Sequence, residues 1–111
     1  MNITMPGLAL VYHTSRITAR PYLAAIVACP QRQHAEMLEE VFESTNHIEG
    51  NWTHNNNVLS TGFHEQQRST SAGDYVQIGI HLYRCDPTGW THVAPTKWQL
   101  IKSFFVGDRH D

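Results

Sequence analysis

Apolar residues fall along this chain in short runs between polar stretches, and the spacing inside each run predicts its element. Leu8-Ala9-Leu10-Val11-Tyr12 follows Pro6-Gly7 and reads as a buried strand, since so short a run suits a strand better than a helix. Tyr22 to Cys29 is a second run, bracketed by Pro21 and Pro30 and of ordinary strand length. Its Ala24-Ala25 pair would also suit a buried helical turn. His13 to Arg20 connects the two runs. Over 31–46 the period changes. Ala35, Leu38, Val41, Phe42 and Thr45 recur at three- and four-residue steps, with Met37 beside them. That pattern predicts an amphipathic helix, with Pro30 suited to its first turn and Asn46 as its stop.

Residues 47–66 show no period. A structureless stretch of that length is unusual in a compact domain, so it is functional or hides a short element, for which Val58-Leu59 is the candidate. The stretch from Gln67 to Ile78 then organises the second half. Ser69, Thr70 and Ser71 favour turns by bonding nearby amides, Gly73 tolerates a positive φ, and Asp74 accepts amide hydrogen bonds beside it. From there Val76, Ile78, Ile80 and Leu82 alternate with more polar positions, which predicts a strand with one buried face. Gly79 marks a bulge or splits the stretch into a hairpin. Asp86-Pro87-Thr88-Gly89 is a turn signal, and Trp90 to Val93 would return as a partner strand. After Pro95, Thr96 and Gln99 fit a capping box, with Trp98, Ile101 and Phe105 on one face and Leu100 and Phe104 on the next. This predicts a short C-terminal helix whose aromatic face packs on the sheet or joins two copies in a homodimer. The expected fold is therefore α+β, one domain over 1–111: a mostly antiparallel sheet of four or five strands packed on one main helix, with a short C-terminal helix.

Composition adds limits. The chain has 111 residues, 41% hydrophobic and 16% charged, which is compatible with a packed core and argues against disorder. A net charge of −2 offers no general basic field for phosphates. Cys29 and Cys85 lie far apart with no CxxC spacing, so they read as buried small apolar residues of a reduced protein. No Lys or Arg precedes Arg16, and Leu8 to Tyr12 is too short for a signal segment or membrane span; a cytoplasmic protein with no membrane partner is expected.

Leu38-Glu39-Glu40-Val41-Phe42-Glu43-Ser44-Thr45-Asn46-His47-Ile48, followed by Arg68-Ser69-Thr70-Ser71-Ala72-Gly73-Asp74-Tyr75-Val76, resembles a loose group of small bacterial, plasmid and phage proteins related to the YodL-like domain. That group pairs an acidic helix ending in a Phe…Asn step with a Ser-x-Ser-Val-Gly-Asp turn into a hydrophobic strand. Gly89-Trp90 is similar to its closing turn. The likeness spans about residues 36–93, with Ala72 where Val is commoner and Tyr75 where a β-branched residue is commoner. It implies a small α+β domain at home on mobile elements and carries over no activity or functional residue.

Candidate chemistry is sparse. Eight histidines is a high count, and His47, His54 and His64 share the long loop with Glu49 and Glu65, yet no HxH, HxxxH or HExxH spacing appears. No metal ligand and no cofactor is named on this pattern. Ser69 or Ser71, His64 and Asp74 supply the residue types of a nucleophilic site, but no G-x-S-x-G elbow frames them. Lys97 and Lys102 are the only lysines, and no glycine-rich phosphate loop exists. Two surfaces remain. Glu36, Glu39, Glu40 and Glu43 form an acidic helix face, either simply solvated or able to meet a basic partner; Trp52 and Phe63 either fold back onto the core or stand out as anchors. Arg16, Arg20, Arg32, Arg68 and Arg84 could instead bind phosphates, with Tyr75, Tyr83 and Trp90 stacking bases if all share one exposed sheet face. The expectation is a non-enzymatic binding module, an accessory protein of a phage or plasmid that occupies a surface on a host macromolecule. Anti-defence inhibition is one form of it. The alternatives are nucleic-acid binding by the sheet and a small hydrolase or metal enzyme built on the histidine-rich loop.

Overall fold

A computed structural model describes residues 7–30, 33–46, 50–61 and 68–93. Among them, strands β1 (Gly7–Thr14), β2 (Pro21–Cys29), β3 (Val58–Ser60), β4 (Tyr75–Ile78), β5 (His81–Asp86) and β6 (Gly89–His92) form one sheet, and α1 (His34–Ser44) packs on one of its faces. The strand order is β3-β2-β1-β4-β5-β6, and every neighbouring pair is antiparallel. The fold is thus α+β, with six strands where four or five were expected. The strands beyond four have separate origins. Val58 to Ser60 pairs with Val27 to Ala25 at the sheet edge, and the stretch from 75 to 86 folds back on itself.

That fold-back turns on Gly79. Its φ is +61°, and Ile78 pairs directly with His81 across it. A two-residue hairpin turn needs a positive φ at its first central position, which glycine supplies without a Cβ clash. Ile80 is therefore a turn residue, 82% exposed, rather than the third apolar member of one long strand. The C-terminal helix expected after Pro95 lies outside the described residues.

β1 sits centrally because both its edges find partners and its alternate residues Ala9, Val11 and His13 are buried. Ala9 and Val11 join Ala25, Val27, Cys29, Val76 and Ile78 beneath Met37, Leu38 and Val41 of α1. Phe42 and Ala35 were expected on the buried helical face, yet both are exposed; the buried stripe is Met37, Leu38, Val41 and Thr45. Pro30 closes β2 instead of opening the helix, which begins at His34 after an uncapped Gln33. The C-terminus of α1 is tied down from elsewhere. Asn55 Nδ2 donates to the Ser44 carbonyl at 2.8 Å, Asn57 Nδ2 to Ser44 Oγ at 2.9 Å, and the Thr70 amide to the Thr45 carbonyl at 3.0 Å. Asn55 and the Thr70 amide thus satisfy helix-end carbonyls that would otherwise lack partners.

Candidate functional site

Three side-chain groups stand out, and the first is internal. Asp74, 1% exposed, lies just before β4 beside Gly73, whose φ of +95° lets the chain bend into the sheet. Its carboxylate accepts from the Thr14 amide at 2.9 Å and the Ser71 amide at 2.8 Å. It also takes both arms of the Arg68 guanidinium, at 2.6 and 2.8 Å. Arg68 in turn donates to the carbonyls of Thr14 at 2.9 Å and Ser69 at 3.0 Å. Beneath this pair His13 Nε2 meets Thr70 Oγ1 at 2.9 Å, and Thr70 meets Thr45 Oγ1 at 2.7 Å. Trp52 covers the junction, its Nε1 donating to the Arg68 carbonyl at 3.0 Å.

This arrangement is a fastening. A carboxylate offers about four lone-pair positions, and those of Asp74 are occupied by two amides and a bidentate arginine, leaving little capacity to orient a catalytic base. Ser71 Oγ accepts from Arg68 at 3.3 Å, and His64, the other residue considered for a nucleophilic site, is outside the described residues. The thiols are equally quiet. Burial pushes both Cys29 and Cys85 up to about 11, so they stay protonated at neutral pH.

His13 makes the fastening acid-sensitive. Burial lowers its pKa to about 4 from 6.5, assisted by the nearby Arg68 charge and opposed by Asp74. The unfolded chain takes up this proton below about pH 6.5 and the folded chain only near 4. Its contribution is fully present above 6.5 and is lost as the pH falls to 4. The loss has an upper bound of about 3 kcal/mol. Urea unfolding at pH 7.5 and pH 5, compared with His13→Gln, checks this. The variant should show a clearly flatter pH dependence, and equal slopes would refute the assignment.

The second group is the acidic face of α1. Glu36, Glu39, Glu40 and Glu43 line an open groove of about 710 Å³ with Ala35, Ser44 and Asn57. Glu36, Glu39 and Glu43 are exposed, and no described basic side chain forms an ion pair with them.

The third group lies where α1 meets β5 and β6. His34 Nδ1 and the Tyr83 hydroxyl are 2.5 Å apart, His81 Nδ1 and His92 Nε2 are 3.1 Å apart, and the Phe42 and Trp90 rings meet edge-on at 6.4 Å. Sequence reasoning looked for histidine chemistry in the loop instead. The signal was available: a hairpin centred on Asp86–Gly89 brings position 83 opposite 92, with 81 two residues away on the same face.

The described residues proposed for nucleic acid do not all share one sheet face. Tyr83 pairs with Val76 on the helix-facing side and Trp90 pairs with Cys85 there, whereas Tyr75 lies on the opposite side with Arg84. Arg68 is committed to Asp74, and Arg84 Nε bonds Asp86 at 2.8 Å. Bonds from Arg84 and Thr91 hold the Asp86 carboxyl below its usual range. Arg16 and Arg20 lie on the exposed β1–β2 turn, and Arg32 is outside the described residues. Of the two proposed aromatic anchors, Trp52 is 1% exposed and presents no surface to a partner; Phe63 is outside the described residues. No helix of the described residues is long and apolar enough to cross a membrane.

Comparison with known proteins gives no matching family, no matching curated protein and no matching solved structure.

Proposed function

We propose that this chain is a non-enzymatic binding module whose acidic α1 face occupies a basic surface on another protein. The observation that carries the reading is a carboxylate stripe that no described cation pairs with. Glu36, Glu39, Glu40 and Glu43 follow i, i+3, i+4 and i+7 spacing, so they form one line along the helix. Like charges at that spacing oppose helix formation slightly, and no described cation relieves them. A basic partner would relieve them and would be drawn in by the field they make. The groove beside Asn57 adds a recess into which a long lysine or arginine side chain fits. The Asp74 junction is compatible with the same reading, because Asp74, Arg68 and His13 are consumed in holding β1 to the turn before β4. An accessory role on a phage or plasmid, such as blocking a host nuclease complex, fits this surface and the YodL-like resemblance.

The test replaces the three exposed carboxylates together, Glu36→Lys, Glu39→Lys and Glu43→Lys. Glu36 lies in the first turn of α1, where losing its charge costs about 0.3–1 kcal/mol, and the other two are surface changes of about 0.5 kcal/mol or less, so the variant should remain folded. In a quantitative mass-spectrometric pull-down from bacterial lysate at low salt, the wild-type chain should retain a basic protein that the variant loses at least tenfold. The proposal fails if no protein distinguishes the two baits.

A further inference from the structure

We propose that His81 and His92, joined by His34, form a binding site for a borderline divalent transition cation of the Zn²⁺ class. The pair carries the geometry. His81 Nδ1 and His92 Nε2 are 3.1 Å apart. Two imidazole nitrogens bound to one Zn²⁺ at about 2.0–2.1 Å stand roughly 3.1–3.4 Å apart at angles near those of a tetrahedron. The two nitrogens are therefore already placed either to share a proton or to hold a cation in its stead. The backbone keeps them there. His81 opens β5 and His92 ends β6, diagonal neighbours on one sheet face across the Tyr83–His92 pair.

The third imidazole comes from α1. The His34 ring centre lies 5.2 Å from that of His81. Its Nδ1 meets the Tyr83 hydroxyl, which leaves Nε2 as its remaining nitrogen. An outer hydrogen bond of that kind orients a metal-binding histidine and fixes its tautomer. No three acidic, thiol or imidazole groups among the described residues stand ready-made around a single point. The site therefore completes itself on binding: His34 turns in toward the preset pair, and water fills the remaining position. Neutral imidazole favours zinc, copper and nickel over magnesium or calcium, which seek oxygen. The cluster is reachable, because His92 is exposed and His34 and His81 are half-buried.

The experiment uses the full chain without a polyhistidine tag, stripped of metal, and titrated with Zn²⁺ against a chromophoric chelator at pH 7.5. Saturation of this site at one equivalent is expected, with His81→Ala and His92→Ala each weakening it at least tenfold. His34→Ala should weaken it by a similar factor and Tyr83→Phe by less, while His54→Ala, which alters an exposed histidine elsewhere, should leave it unchanged. Long-range imidazole ¹⁵N spectra should show the metal shifting His81 and His92. His92 sits exposed on the edge strand, so its variant keeps the test open if another fails to fold. Failure of His92→Ala to weaken binding, equal loss in His54→Ala, or no saturable binding would overturn the proposal; an unchanged affinity in His34→Ala would strike that residue from the site.

Discussion

Replacing Asp74 with alanine should destabilise the chain by about 3–5 kcal/mol, the usual result of removing one partner from a buried ion pair. The reason lies in what the substitution abandons. The Thr14 and Ser71 amides each lose their carboxylate acceptor, and the Arg68 guanidinium, 18% exposed, keeps its charge without the counter-charge that justified placing it there. Typical domain stabilities are about 5–15 kcal/mol, so the variant could lose half its margin or more. Asp74→Asn should recover little, because an amide places a donor where two amides and an arginine already donate. Arg68→Met in the Asp74→Ala background should recover part of the loss, since the stranded charge is then gone. Urea unfolding of the two single variants and the double variant measures the coupling. A cost below about 1 kcal/mol for Asp74→Ala would mean the pair is solvated and does not fasten β1 to the turn before β4.

The parts of this architecture legible in the sequence are those set by local rules. A short unbroken apolar run marks β1, period-two alternation marks β4, paired prolines bracket β2, and the Asp86–Gly89 turn places β5 against β6. The helix was readable from its spacing, but not its buried stripe. Phe42 and Leu38 are equally apolar as letters, and only the position of the sheet decides that Leu38 is covered while Phe42 leans on Trp90 at the rim. Ile80 misleads for a related reason: it continues an alternation that Gly79 has already ended. Beyond the β5–β6 hairpin, strand order could not be read. That β1 lies between β2 and β4 depends on pairing residues more than sixty positions apart, such as Val11 with Val76.

The same division governs the site residues. Gly73 and Asp74 were recognisable as a turn because glycine's φ and aspartate's appetite for amides act over a few residues. The partner of Asp74 was not. Arg68 looks like any surface cation until the fold places Thr14 and Asp74 on either side of it. His13 and Thr70, fifty-seven positions apart, carry no mark of their contact in either local pattern. The acidic stripe was legible because helical spacing alone creates it, and it is the feature on which the functional proposal rests. The histidine pair was legible in principle, since a turn of known position fixes the register of both its arms.

Trp52→Ala should cost a further large amount, about 3–5 kcal/mol, the range for truncating a buried aromatic in a core. Trp52 is 1% exposed, in a 3-10 turn over Trp52–His54 inside a stretch whose letters are almost all polar. Its ring meets His13 edge-on at 6.1 Å, and its Nε1 holds the Arg68 carbonyl. The residue therefore joins the segment before β3 to the Asp74 junction, and removing it opens a cavity above His13 while stranding a carbonyl. Trp52→Phe separates the two effects. It keeps most of the apolar volume and loses the indole donor, so about 1–2 kcal/mol should go with the hydrogen bond and imperfect packing. The ordering wild type, Phe, Ala in urea midpoints is the expected result. Loss of amide exchange protection should follow in Trp52→Ala at Thr70, whose amide bonds the last turn of α1, before it reaches the β1–β2 ladder. If alanine proves as stable as phenylalanine, the ring is not a core element, and its other reading, as an exposed anchor for a partner, would regain its place.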